Sequence, residues 1–172
     1  HDLGIDEAMP YRLIVDGLIA EISRYATDRR SFWYEDATER ADRTSSVIEQ
    51  QGLDISKSLP YMVVIEGLMS EVNQKARDRP NFWYAEAVGK ADKARVLKTA
   101  HGVDIDVAKL GYGAIIDGLM TEITHQVTLK PFGYVESARG KAYRAMNLAT
   151  QYVTGRVQEL STSFQQMNLN LE

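Results

Sequence analysis

The ten residues VVIEGLMSEV, from Val63 to Val72, decide how this chain folds, because near-copies of them recur twice. LIVDGLIAEI runs from Leu13 to Ile22, and AIIDGLMTEI runs from Ala114 to Ile123. All three place aliphatic residues three and four apart, the period of one helix face. All three also keep a glycine in the middle, where it costs about 1 kcal/mol relative to alanine. A helix-weakening residue held at one place in three helical segments calls for a packing or a functional reason.

The likeness extends outward from these segments. Residues 3–50 and 53–100 align without a gap, with about a third of positions identical. A third copy, from about Val103, needs a one-residue insertion before Tyr112 and small shifts near Pro131. The first-helix frame is Tyr11, Asp16, Gly17, Leu18 and Glu21 in the first copy. It becomes Tyr61, Glu66, Gly67, Leu68 and Glu71 in the second, and Tyr112, Asp117, Gly118, Leu119 and Glu122 in the third. At 3.6 residues per turn, Tyr61, Val64, Ile65, Leu68, Met69 and Val72 form one apolar stripe, with Gly67 and Glu71 on its flank. Asp16, Glu66 and Asp117 lie opposite and read as a solvated face. Asp6, Ser56 and Asp106 suit the N-cap, each after an isoleucine (Ile5, Ile55, Ile105) able to staple the entry. Pro10 and Pro60 fall in the first turn, where a missing N–H costs least.

A second helix follows in each copy. Ser31 and Asn81 suit its cap, and Trp33, Ala37, Ala41 and Trp83, Ala87, Ala91 recur one turn apart, leaving room for a close neighbour. The short loops ATDRR and ARDRP favour antiparallel pairs. The chain therefore reads as all-α: three tandem helical-hairpin repeats of about fifty residues (1–50, 51–101, 102–150), as a six-helix bundle or short solenoid. Residues 151–172 form a C-terminal extension. Ala142, Met146, Ala149, Val153, Val157, Leu160, Phe164 and Met167 recur at three and four, which predicts one long helix of about 25 to 35 residues carrying a narrow seam. Gly155 marks a boundary or bend within it, and a fold-back of part of the helix on the bundle is one expected outcome.

Composition bounds the chemistry. The chain has 172 residues, a net charge of −4, three histidines and no cysteine. The acidic balance does not support a nucleic-acid partner. No run reaches the roughly 18 apolar residues of a membrane span. Absence of cysteine removes disulfides, Cys-ligated zinc and thiol catalysis. A chain that starts at His1 without methionine and ends in Leu171-Glu172 reads as part of something longer, so no compartment can be read from it.

Among catalytic patterns, Glu122 and His125 form an i, i+3 pair like half of a di-iron motif, but the matching positions in the other copies hold no histidine. VDIDVAK lacks the glycine and terminal glutamate of a calcium loop, and LGYGA is not a phosphate loop. No catalytic, metal or cofactor site is expected. Gly17, Glu21, Gly67, Glu71, Gly118 and Glu122 are read as repeat-packing residues. The glycine would admit a neighbouring backbone or a Trp ring, and the glutamate would accept from a Tyr hydroxyl, an indole N–H or a helix N-terminus. The rival reading is a bundle that holds a small or apolar ligand between the same glycines and glutamates. Three consecutive aromatics spread too far around a helix to share one core, so Trp33, Tyr34, Trp83 and Tyr84 are expected to offer partner-binding area. Val157, Leu160, Phe164 and Met167 of the tail seam are expected to do the same. The expectation is a non-enzymatic helical repeat module for protein–protein interaction, self-association or structural assembly.

Overall fold

A computed structural model of the chain describes residues 7–172. Among the described residues the fold is all-helical, with seven α-helices and no strand. Helix α1 spans Met9–Asp28, α2 Trp33–Gln50, α3 Leu59–Asp78 and α4 Trp83–His101. A π-helical turn, Ala108–Tyr112, runs directly into α5, Gly113–Leu129. Helix α6, Tyr134–Tyr152, is followed by a 3-10 turn at Thr154–Arg156 and by α7, Val157–Gln166. Among the described residues, no helix is long and apolar enough to cross a membrane. The expected cap and staple at Asp6 and Ile5 lie outside the described residues.

The chain gathers into two compact units. One contains α1, α2, α3 as far as Ser70, and Lys93–Ile105; the other contains Glu71–Asp92 and everything from Asp106 onward. In the first, α1 packs along α2, and Val15, Ile48 and Leu53 form a cluster with Ile19, Val47 and Ile55. In the second, α5 packs along α6 around Ile115, Ile116, Leu119, Ile123, Ala138 and Ala142, all buried. The apolar period read from the sequence does its expected work. Tyr61, Val64, Ile65, Leu68, Met69 and Val72 are all buried, as are Ala37, Ala41, Ala87 and Ala91.

The one-residue insertion before Tyr112 has a direct structural consequence. A helix absorbs an extra residue by widening one turn to i→i+5 bonding, and the π-helical turn at Ala108–Tyr112 sits at the insertion. Asp106 caps its start by accepting the Lys109 N–H at 3.0 Å. Ser56 Oγ accepts the Ser58 N–H in the turn before α3.

The second helices start one residue later than the sequence suggested. Phe32 occupies the cap position of α2 with φ 63°, and no side chain caps it, so Ser31 is not the N-cap. Phe82 repeats this conformation with φ 64° ahead of α4, so Asn81 also lies before the turn. Each turn is closed by the backbone: Trp33 N–H donates to Arg30 O and Trp83 N–H to Pro80 O. After α2 and α4, Gly52 and Gly102 take positive φ, so the Leu53 and Val103 amides reach back to the Ile48 and Lys98 carbonyls.

The tail differs most from expectation. The long helix expected there is two helices, because Val153 leaves the helical region (φ −134°, ψ 63°) and the turn around Gly155 reverses the chain. Arg156 anchors the reversal, bonding Asp117 of α5 at 2.5 Å and Glu159 at 3.0 Å. Helix α7 then packs on α6, which buries Leu160, Phe164 and Leu169. Half of the expected seam is thus spent inside the unit: Leu160 and Phe164 present no open face, while Val157 and Met167 are partly exposed. Removing a buried ring costs about 3–5 kcal/mol, whereas an exposed one changes stability by about 0.5 kcal/mol or less. Urea unfolding of Phe164→Ala and Phe132→Ala should separate in that way.

Candidate functional site

The repeated glycine marks a backbone contact. A β-carbon placed on Gly67 would lie 2.5 Å from Ala26 Cβ and 3.1 Å from Ala26 Cα. On Gly118 it would lie 2.9 Å from Ala76 O and 3.0 Å from the Trp83 ring. Real β-carbons do not approach so closely, so only glycine lets these helices pack. Ala26 and Ala76 occupy corresponding positions in successive sequence copies. The space above Gly67 and Gly118 is therefore filled by protein and leaves no room for a ligand there. Gly17 has nothing within 4 Å.

Polar contacts follow the same alternation. The Tyr61 hydroxyl donates to Asp42, and the Tyr112 hydroxyl donates to Asp92, so each tyrosine bonds an acid from the preceding copy. The same rings stack on a ring about forty residues later: Tyr61 on His101 at 3.4 Å between centroids, and Tyr112 on Tyr152 at 3.9 Å. The Trp83 indole N–H donates to Glu122 at 3.2 Å. Glu71 lies 3.6 Å from the Lys90 ammonium. Glu21 is held by Arg40 at 2.7 Å and by the Tyr25 hydroxyl. The hydrogen bond from Arg40 holds the Glu21 carboxyl below its ordinary range. Burial, reinforced by the bond to Asp42, pushes the Tyr61 hydroxyl far above its ordinary 10.0.

The aromatic triplets divide their duties between three directions. Trp33 and Trp83, expected to offer partner area, are buried. Tyr34 and Tyr84 are half-buried beneath cations from the following copy, with Lys93 4.7 Å and Arg144 5.0 Å from the ring centres. Burial raises both hydroxyls above their usual range. The ring turned to solvent is the phenylalanine, 76% exposed at Phe32 and 82% at Phe82. In the third copy the left-handed position passes to Gly133 (φ 75°), and the preceding Phe132 is fully exposed. Sequence reading missed these residues because three adjacent aromatics do not reveal which one stands in the left-handed cap.

His125 is exposed beside a cleft of about 330 Å³ lined by Arg79, Thr121, Glu122, Gln126 and Lys141. Glu122 is already engaged by the Trp83 indole. Among the described residues, no group of three or more His, Asp or Glu is placed to hold a metal ion. Comparison with protein-family models, curated proteins and solved structures returns no match.

Two outcomes test this geometry. Gly67→Ala forces a backbone shift and should destabilise by about 1–3 kcal/mol. Gly17→Ala meets nothing and should stabilise by about 0.5–1 kcal/mol through helix propensity. Opposite signs in urea unfolding are the expected result. The second outcome concerns pH. The unfolded state releases the tyrosine protons near the ordinary 10.0, while folded Tyr61, Tyr34 and Tyr84 retain theirs to higher pH. Stability is thus fully present below pH 10 and falls as pH rises beyond it. Tyr61→Phe should lose about 1.5–3 kcal/mol at neutral pH, with Asp42 left unpaired, and should show a shallower alkaline fall. Chemical denaturation at several pH values reads both.

Proposed function

We propose that the chain is a non-enzymatic module of three tandem helical hairpins, with α7 closing the last, that serves protein–protein interaction or structural assembly. The backbone supports the hairpin repeat. Left-handed residues recur at Arg29, Arg79 and Lys130, and again at Phe32, Phe82 and Gly133. The Gly–Ala and Tyr–Asp contacts recur with them.

The observation that carries the interaction role is the exposed phenylalanine of each hairpin loop. A non-glycine residue in the left-handed region costs roughly 1–2 kcal/mol, and a bare ring in water gains nothing for the monomer. Phe32 and Phe82 bear both costs. Gly133 shows that the same turn accepts glycine, yet the third loop still presents Phe132. Local strain kept with no gain in the isolated fold points to a role outside it. An exposed aromatic ring on a loop is a suitable anchor for a protein partner's pocket. The ligand-holding reading is less well supported, since Ala26 and Ala76 close the glycine positions it needs.

The test replaces Phe32 and Phe82 with glycine and Phe132 with serine. Relief of strain at Phe32 and Phe82 should leave the triple variant at least as stable as the parent, by up to about 1 kcal/mol at each of those two positions. A photo-crosslinking phenylalanine analogue at position 82 should join the parent to one defined protein or to a second copy. That product should disappear when Phe32 and Phe132 are also replaced. Crosslinking no different from that of an analogue placed at the exposed Leu129 would remove the interaction role from these rings.

A further inference from the structure

The contacts between successive copies use a donor side and an acceptor side. The first helix of the later copy brings Tyr, Gly and Glu; the earlier copy supplies Asp, Ala and, at Trp83, an indole. At the C-terminal end the accepting set is rewritten. Val127 stands where Ala26 and Ala76 would be, Tyr134 where Trp33 and Trp83 would be, and Tyr143 where Asp42 and Asp92 would be. The Tyr143 hydroxyl donates to the Leu171 carbonyl, so the chain's own tail covers that position. This end is closed.

Among the described residues, the corresponding face of α1 is open. Helix α1 retains Tyr11, Gly17 and Glu21 in full register. Tyr11 is 37% exposed, whereas Tyr61 and Tyr112 are buried. Ile14 is 50% exposed, whereas Val64 and Ile115 are fully buried. Leu13 is 65% exposed and adjoins them. Gly17 lies bare with nothing within 4 Å. An apolar helix face with a glycine at its centre is unfavourable in water and is shaped to receive a neighbouring helix backbone.

We infer that the Tyr11–Ile14–Gly17 face of α1 docks a helical hairpin of this same kind, presented by a second polypeptide. That hairpin carries an alanine to lie on Gly17 and an aspartate to accept from the Tyr11 hydroxyl, with its second helix opening on tryptophan near Glu21. A second unmodified copy of this chain does not qualify. Its sockets at Ala26–Asp42 and Ala76–Asp92 are already filled, and its last one is replaced. The inference rests on the tandem-hairpin reading and supplies the class of partner.

The test uses a donor chain that ends at Tyr152 and carries Val127→Ala, Tyr134→Trp and Tyr143→Asp, with Gly17→Lys to prevent self-polymerisation. Circular dichroism checks its folding, and sedimentation velocity reads its binding to the unaltered chain. A 1:1 complex is expected at micromolar concentration. Gly17→Ala in the acceptor should weaken it roughly tenfold or more while leaving that chain no less stable. A second protein, in which residues 3–52 are duplicated ahead of residue 3 of the whole chain, keeps the question answerable if the donor does not fold. There Tyr11 of the original copy should lose solvent accessibility, read by its iodination rate, and should regain it when the added copy carries Ala26→Trp. A folded donor that does not bind, beside a duplicated chain that does bury Tyr11, overturns docking between chains and leaves the hairpin repeat standing. Unchanged Tyr11 accessibility in the duplicated chain overturns both.

Discussion

The approach of Gly67 to Ala26 is the contact on which the rest of the first unit depends. Two helices whose backbones come this near cannot tolerate a β-carbon on one side, and a short side chain on the other is the most that fits. The spacing so set brings Tyr61, less than two turns earlier on α3, to Asp42 and beneath the ring of His101. The second unit repeats the constraint at Gly118, with Ala76 and Trp83 as the surface met. There the same proximity lets the indole N–H reach Glu122, one turn beyond the glycine. Glycine's unfavourable helix propensity is the smaller term; close packing and two satisfied buried polar groups outweigh it.

Contacts of this kind leave faces that need a cover. In the tandem-hairpin reading each copy offers a face that another copy satisfies, and a face without such a neighbour must be covered or left wet. The C-terminal copy replaces the accepting alanine, aspartate and tryptophan with larger or different side chains and lays its own tail across α6. Leu160, Phe164 and Leu169 gain their burial from that return, and Arg156 holds its turn against Asp117. At the N-terminal end Glu21 is satisfied locally by Arg40, while Tyr11, Leu13 and Ile14 stay exposed. The two ends are chemically unlike.

The loops add a second asymmetry, between burial and display. Three neighbouring aromatics in Phe32–Tyr34 are sent to core, cation and solvent by a single left-handed residue at the helix start. Because the third loop achieves the display with glycine in the strained position, strain and exposure are separable features. The exposure is what all three loops share.

Part of the fold was legible along the chain. The all-helical class, the helical period, the buried Ala37–Ala41 and Ala87–Ala91 pairs, and the close approach at Gly67 and Gly118 are local or periodic signals, which spacing alone conveys. The insertion before Tyr112 was visible too, although its resolution into a π-helical turn required the backbone. What sequence alone could not decide was direction. Whether Phe, Trp or Tyr of a triplet faces water depends on one φ angle near the cap. Whether Leu160 and Phe164 point outward depends on a chain reversal at Val153–Arg156 that no period announces. Both are set by long-range packing, and only the tertiary structure shows which apolar surface is already satisfied and which, on α1, is still open.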